Sequence, residues 1–567
     1  MAGRLVTRRW IEVDGLERFA VSTALGLTLL AHAAFALGAL GLLTRGALIV
    51  LVVGIHLAGL PVWREVLGAR RWKLGVLLIL AAAPLFFLAL YPPTAFDETL
   101  YHLPFARAFA QAGSLPFLPE LRVPVFPPLN ELLFTGMLLL AGDVSIHLVQ
   151  LLATLATAVL LIAWGRRSFS PAAGWVAAAA FLGNPIVVHL SGTGYVEPLL
   201  ALFITASVYA LDRWRESRDS RETAAWLVLA AVFAGSAAGV KYLGLFFVGI
   251  VLLAVLRERR VRDLLVASVV VLAVLAPTYG RILFHTGNPL FPFYPEIFGS
   301  SAWDPQPGPS RSLEERVTDY LSIPWDVLFE RRAVGWQPPY SPAYLLALPL
   351  LVFGFIRDPR VRRLLAITLA YSLLFPLLPP DARYLVVVVP LISLALGGTL
   401  ARWRFRPKVL PALAVLLFLP GWLYSFYRID REGPLPVTAR ERELYLAREL
   451  PAYAALQHLN RLWGSDYVVY GVLLENMVYH AEGTFLGDWS GPARFHRVLP
   501  AMGDPEAFHR LLRELGAGYL LLLPDRTPLL ESPDWRRRFR RIYADGKAEV
   551  YELSPFRGPR ALKGRPG

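Results

Sequence analysis

The sequence predicts an all-α polytopic membrane domain followed by a small α/β domain. Three observations carry that prediction. Hydrophobic residues make up 55% of the 567-residue chain and mean hydropathy is +0.48, above what an ordinary soluble chain of this length shows. Long apolar runs alternate with short polar connections. Every second connection is rich in arginine, and those between are nearly free of basic residues apart from one long connection at 284–341.

A spanning helix needs ~17–25 apolar residues, which gives about thirteen spans. They are 19–43, 46–62, 74–91, 144–164, 173–190, 198–212, 224–240, 242–256, 263–283, 342–356, 364–378, 384–400 and 409–427. The first is too long for the core of a signal peptide and reads as an uncleaved anchor. The arginine-rich connections include Arg4/Arg8/Arg9, Arg64/Arg70/Arg71/Lys73, Arg213/Arg215/Arg218/Arg221 and Arg402/Arg404/Arg406/Lys408. By the positive-inside rule these face the cytoplasm, and the N-terminus with them. An odd number of spans then puts the C-terminal domain outside.

The net charge of +14 has the same origin. Its arginines sit in short clusters between apolar runs, so they are topology signals and no nucleic-acid partner is expected. The chain has no cysteine, which excludes disulfides, thiolate metal sites and a cysteine nucleophile.

Two outer loops are long. The first, 92–130, begins where an apolar run stops at Pro92-Pro93 and continues Thr94-Ala95-Phe96-Asp97-Glu98-Thr99-Leu100-Tyr101-His102-Leu103-Pro104. Thr94 to Asp97 fits a capping box, so a helix starts there, and Pro104 is expected to end or kink it before a second helix at 105–112. That gives Asp97 a structural role to play and leaves Glu98 without one. Leu129 to Leu140 is apolar but too short to span, and reads as re-entrant or interfacial. The second loop, 284–341, is rich in Pro, Gly and aromatics and is expected to be ordered and membrane-facing.

From about Arg428 charges rise and apolar runs shorten. Thr438–Trp463 reads as a helix, Tyr467–Val472 and Tyr519–Leu523 as buried strands, Pro505–Leu515 as a helix, and Ile542–Tyr551 as a hairpin turning at Asp545-Gly546. Gly487-Asp488-Trp489-Ser490-Gly491 reads as a turn. The expected division is 1–73 for N-terminal spans, 74–427 for the main membrane domain, 428–556 for the outer α/β domain and 557–567 for a disordered tail.

Ionisable residues near a bilayer are costly and are functional candidates. At the outer ends of spans they are Asp97, Glu98, Glu197, Lys241, Asp381 and Arg383. Carboxylates there can deprotonate a hydroxyl acceptor or hold a divalent cation, in which case Asp97, Glu98 and Glu197 are its ligands. Lys241, the one lysine at an outer boundary, and Arg383 can bind a phosphate. Each has a plain alternative: Glu197 as a loop acid, Lys241 snorkelling to the interface, Arg383 paired with Asp381. Tyr101, His102 and His285 are candidates for substrate contact, and His189 reads as a boundary histidine. No Walker motif or strand-following G-x-G-x-x-G is present, so a cytosolic nucleotide site is unsupported. A transferase facing outward therefore needs a donor delivered through the membrane, such as a lipid phosphate.

At these residues the chain resembles the integral-membrane C-type glycosyltransferases that use polyprenyl-phosphate sugars, among them lipid A aminoarabinose transferases and protein O-mannosyltransferases. The resemblance lies in Asp97-Glu98-Thr99-Leu100-Tyr101, Pro127-Pro128-Leu129, Glu197 at the start of a span, Lys241 in a Gly-rich span, and Arg383-Tyr384-Leu385, and covers roughly 74–427. It implies an inverting sugar transfer at the outer face of a bacterial-type inner membrane, to a lipid, glycan or protein acceptor. Asp97 would act as general base, Glu98 and Glu197 beside it, with Lys241, Arg383 and Tyr384 on the donor phosphate. The chain departs from the family's pattern in having Glu where Asp is usual at 197, in His102, and in two additional spans before the acidic loop. A lipid or glycan transporter and a glycan polymerase or ligase are the competing readings.

Overall fold

A computed structural model describes residues 15–59, 82–301, 312–330, 335–379, 381–403, 409–489, 494–525 and 533–553, with a few single residues besides. Residues 74–81 of the expected third span, the basic clusters at 64–73 and 404–408, and the tail lie outside the described residues.

The membrane domain is helical. Six described helices are long and apolar enough to cross a bilayer: Gly15–Ala39, Asp143–Ser168, Ser220–Val240, Val261–Thr286, Ala382–Leu400 and Val409–Glu432. A seventh candidate is the pair Pro171–Leu182 and Pro185–Ser191, bent by 72°. Pro185 sets that break, because the residue before a proline is pushed out of the helical region. The described residues do not confirm the count of about thirteen. Four of the expected spans form helices of only 10–17 residues: Arg45–Ala58, Tyr242–Arg257, Leu348–Arg357 and Pro359–Ser372.

The interior is built on a helical hairpin, Glu197–Glu216 followed by Ser220–Val240. Asp219 caps the second helix, accepting from the backbone of Arg221 at 3.0 Å and Glu222 at 2.8 Å. Tyr209, Trp214 and Trp226 are fully buried at the arginine-rich end. There Arg213 binds Glu222 at 2.8 Å and also pairs with Glu17, tying helix Gly15–Ala39 to the hairpin. The other end of the hairpin carries Glu197 and Lys241.

The acidic loop differs from expectation. The Thr94–Asp97 capping box does not form. Instead the Glu98 carboxylate accepts the Ala95 N–H at 3.1 Å, and Asp97 makes no capping bond. Nor does Pro104 end the helix. A π-helical turn at Glu98–His102 runs directly into helix Leu103–Ala112. The Leu103 N–H reaches the Glu98 carbonyl, five residues back. That wider turn leaves room for the proline ring, which would clash with the carbonyl four residues earlier in a regular α-helix. Helix Leu129–Ala141 follows the proline-rich stretch, and its first seven residues are buried.

The C-terminal domain carries a five-stranded sheet: β1 (Val468–Gly471), β2 (Thr484–Gly487), β3 (Tyr519–Leu522), β4 (Phe539–Ala544) and β5 (Glu549–Leu553), in the order β2-β1-β3-β5-β4. β1 is parallel to β2 and β3, and β5 is antiparallel to β3 and β4. The expected helix Thr438–Trp463 is two helices, Ala439–Glu449 and Tyr453–Trp463. Pro451 lies between them and cannot supply the backbone N–H a continuous helix needs. The stretch read as a turn at Gly487 includes the end of β2, and Asp488 beside it is buried, accepting from Tyr470 at 2.5 Å and from the Leu473 backbone at 2.8 Å.

This domain packs on the acidic loop. Arg107, midway along helix Leu103–Ala112, donates to the carbonyls of Tyr479 at 2.6 Å and Ala481 at 3.2 Å. Asp143 receives Arg442 at 2.6 Å and Tyr479 at 3.0 Å.

Candidate active site

Three local structures bring the site together. The hairpin places the first residue of one helix, Glu197, beside the residue after the last of the other, Lys241. Glu197 Oε1 and Lys241 Nζ are 2.8 Å apart. Arg383 sits in a 3₁₀ turn, Ala382–Val388, which leads into helix Val389–Leu400. Asp381 caps that turn, accepting the Arg383 N–H at 3.1 Å. The Tyr340 hydroxyl donates to the Ala382 carbonyl at 2.9 Å, and Tyr371 to that of Tyr384 at 2.8 Å, fixing the turn. Asp97 comes from the start of the π-turn.

Arg383 joins these parts. Its Nη1 lies 2.6 Å from Asp97 Oδ2 and its Nε 2.7 Å from Asp381 Oδ2. The guanidinium lies over the Tyr195 ring at 4.6 Å and the Tyr384 ring at 5.3 Å. Lys241 Nζ stands 4.5 Å from the same Tyr384 ring. Tyr101 completes the group by donating to Asp97 Oδ2 at 3.0 Å. Asp97, Tyr101, Glu197, Lys241, Arg383 and Tyr384 therefore form one connected cluster. Asp97 and Glu197 are buried, and one oxygen of Glu197, Oε2, has no hydrogen-bond partner. Lys241 keeps 23% of its side-chain surface exposed, which makes it an accessible cation of the cluster.

Burial alone would push the Asp97 carboxyl up. The Arg383 guanidinium, then His102 and Lys241, outweigh that and hold it at about 2. Burial would likewise lower the Lys241 ammonium, but the Glu197 carboxylate raises it.

Glu98 faces elsewhere. Its Oε1 meets His147 Nε2 at 2.5 Å while its Oε2 holds the Ala95 N–H. Gly194 packs directly on it, since a Cβ there would stand 2.5 Å from Glu98 Oε1. The division expected from the capping box is thus reversed: Glu98 has the structural bonds and Asp97 faces the cations. His102 also has a partner that sequence reasoning missed, Glu131 Oε1 at 2.5 Å, both side chains being buried. His147, Glu131 and Tyr195 were all overlooked. The only signal for His147 and Glu131 was an ionisable residue at the start of an apolar run. His189 contacts Arg428 and the Tyr195 ring. His285 is not brought into the cluster. It is exposed, with its ring beside Phe117 and Phe284.

Among the described residues no group of three or more His, Asp or Glu side chains is arranged to hold a metal ion. Asp97, Glu98 and Glu197 each face a different basic group, so they do not form the shared cation site considered from the sequence.

Comparisons with known proteins place this arrangement. A family model described as dolichyl-phosphate-mannose-protein mannosyltransferase matches residues 143–275, the stretch that holds Glu197 and Lys241. The solved structure of ArnT from Cupriavidus metallidurans in the apo state aligns with a TM-score of 0.59 at 15% identity, covering 84% of this chain and 97% of that one. The chain shares the ArnT fold. ArnT bound to undecaprenyl phosphate aligns at TM-score 0.55 and 15% identity, covering 87% of this chain and 100% of that one. An Archaeoglobus fulgidus oligosaccharyltransferase aligns at TM-score 0.49 and 13% identity, covering 87% of this chain and 76% of that one. A second family model, described as SF2091/S2213, matches residues 441–552 of the C-terminal domain. No curated protein sequence matches the chain significantly.

Proposed function

We propose that the chain transfers a sugar from a polyprenyl-phosphate donor to an acceptor hydroxyl on the outer side of the membrane, with inversion. The observation that carries this reading is the shared cluster: a carboxylate, Asp97, within 2.6 Å of Arg383, and a second cation, Lys241, over the same Tyr384 ring. The ArnT fold has been solved with undecaprenyl phosphate, which supports a lipid phosphate as the donor's leaving group.

In this mechanism Asp97 takes the acceptor hydroxyl's proton. The acceptor oxygen forms a bond to the sugar's anomeric carbon from the face opposite the phosphate. The bond from that carbon to the phosphate oxygen breaks, and polyprenyl phosphate leaves with the electron pair. Lys241 and Arg383 neutralise the charge gathering on the phosphate, Arg383 through a planar fork suited to two oxygens. Tyr384 holds both cations from below. Glu197 orients Lys241, and Tyr101 fixes the Asp97 oxygen that Arg383 also holds. The acceptor is a lipid, glycan or protein.

The arginine clusters support a cytoplasmic N-terminus and an outer C-terminal domain in a bacterial-type inner membrane. The thirteen-span count and the 1–73, 74–427, 428–556 and 557–567 division belong to the same reading. The 428–556 domain covers the site or binds acceptor, since it packs on the helix that begins near Asp97. The reading is tested with purified chain in vesicles and labelled polyprenyl-phosphate sugars. Transfer with release of polyprenyl phosphate is expected, and Asp97→Asn transferring at the wild-type rate would overturn the role given to Asp97.

A further inference from the structure

We propose that Asp381 is a positioning residue that keeps Arg383 in the site while the donor phosphate exchanges with Asp97 on its guanidinium. The assignment rests on the lipid-phosphate donor reading above.

The geometry creates the need. Asp97 Oδ2 is taken up by Arg383 at 2.6 Å and by Tyr101 at 3.0 Å. A carboxylate held in that way is a poor proton acceptor, and it becomes a useful one only when the guanidinium lets go. A phosphate can displace it, being an anion with several acceptor oxygens. Exchange would also remove one of the two carboxylates that hold Arg383. Without a second anchor the long side chain would follow the lipid or turn to solvent.

Asp381 supplies that anchor from the opposite edge of the guanidinium, through Nε at 2.7 Å. Its own position is fixed on three sides. Oδ1 accepts the Arg383 backbone N–H at 3.1 Å. Gln337 Nε2 lies 3.4 Å from Oδ2. Gly335, at φ +78°, backs onto the carboxyl, and a Cβ at that position would stand 2.9 Å from Asp381 Cγ. A side chain at 335 is excluded by both backbone and space. The 335–340 segment therefore presses Asp381 toward Arg383. Asp97, by contrast, carries no backbone bond on its carboxylate. Of the two acids on Arg383, one is braced and the other is free to leave.

The test uses the full chain in detergent, with undecaprenyl phosphate as the probe. Asp381→Asn keeps an acceptor for the capping N–H and removes the charged bond to Nε. It should weaken undecaprenyl-phosphate binding and raise donor KM by about tenfold, the scale of one charge-assisted hydrogen bond. The kcat at saturating donor and the acceptor KM should stay within about twofold of wild type, as expected when only donor binding is affected. Gly335→Ala changes no charge and crowds Asp381, so it should weaken binding in the same direction. A purely electrostatic role predicts the opposite, because removing a negative charge beside Arg383 should tighten phosphate binding. Equal or tighter binding by folded Asp381→Asn would overturn the assignment, as would a collapse of kcat at unchanged donor KM. Failure of the wild-type chain to bind undecaprenyl phosphate would instead overturn the donor reading, and the assignment with it.

Discussion

Asp97 Oδ2 and Arg383 Nη1 lie 2.6 Å apart, so the candidate base and a candidate phosphate ligand are each other's partner in the free chain. The pair separates two properties. Asp97 stays ionised far into acid, held at about 2, yet it is unavailable as a base until Arg383 is drawn away.

Asp97→Asn should therefore abolish transfer and, by taking from buried Arg383 one of its two carboxylates, cost some stability as well. A positioned base contributes ~10²–10⁴ in rate, so loss of that order in kcat is expected with donor binding retained. Asp97's own contribution to stability is present above its unfolded value of ~3.9 and is lost only as pH falls toward about 2. At neutral pH this variant should thus lose activity together with part of its thermal stability, and its stability gap from wild type should close as pH falls toward about 2. Transfer assays and unfolding temperatures on the same preparation check it.

Glu98→Gln should give the reverse pattern in part, costing stability first. Glu98 is buried with His147 at 2.5 Å, and breaking a buried pair costs ~3–5 kcal/mol. Gly194→Ala drives a methyl to within 2.5 Å of the same carboxylate, with ~1–3 kcal/mol lost to overpacking. A wild-type unfolding temperature in either variant would contradict the structural role assigned to Glu98.

What the sequence could and could not reveal follows from distance along the chain. Helical runs and the C-terminal α/β domain were legible because apolar periodicity and the rise in charge after Arg428 are local signals. The meeting of Asp97, Glu197, Lys241 and Arg383 followed from their shared level at the ends of spans. Partners such as His147 for Glu98, 49 residues away, and Glu131 for His102, 29 away, left no local trace. The capping-box reading failed because Glu98, one residue later, reaches the free N–H of Ala95. The helix at 438–463 was overextended because its apolar spacing continues across Pro451. Span length was the weakest signal, since a helix interrupted at Pro185 reads as continuous apolar sequence.

Lys241→Met should destabilise the chain by ~3–5 kcal/mol, because it strands the buried Glu197 carboxylate. Adding Glu197→Gln should restore much of that stability without restoring transfer. Chemical unfolding of the single and double variants separates the two effects. Recovery of activity in the double variant would remove Lys241 from the proposed phosphate site.

Acid should weaken the C-terminal domain through His480. That side chain is buried, and burial, with Arg442 and Arg107 nearby, pushes it down to about 3. The unfolded imidazole binds its proton near pH ~6.5 and the folded one does not. Stability is therefore complete above ~6.5 and falls with acidification toward about 3, by ~1.4 kcal/mol per pH unit from this group. His480→Asn should flatten that slope when domain unfolding is followed by proteolysis between pH 7 and 4.5.

Single cysteines at positions 97 and 197 of the cysteine-free chain give a direct test against transport. In oriented vesicles a transferase should label from one side only. Labelling of both positions alternately from the two sides would favour a transporter.

The π-turn at Glu98–His102 lets a single rod serve two masters. Its beginning aims Asp97 at the charged cluster, and the helix that follows aims Arg107 at the C-terminal domain. Successive residues of an α-helix are turned by about 100°, so one residue of slack re-phases everything downstream by roughly that angle. The insertion acts as a vernier between catalytic face and docking face. A lineage could retune the fit of the cover domain by gaining or losing one residue there, leaving the chemistry's own alignment untouched.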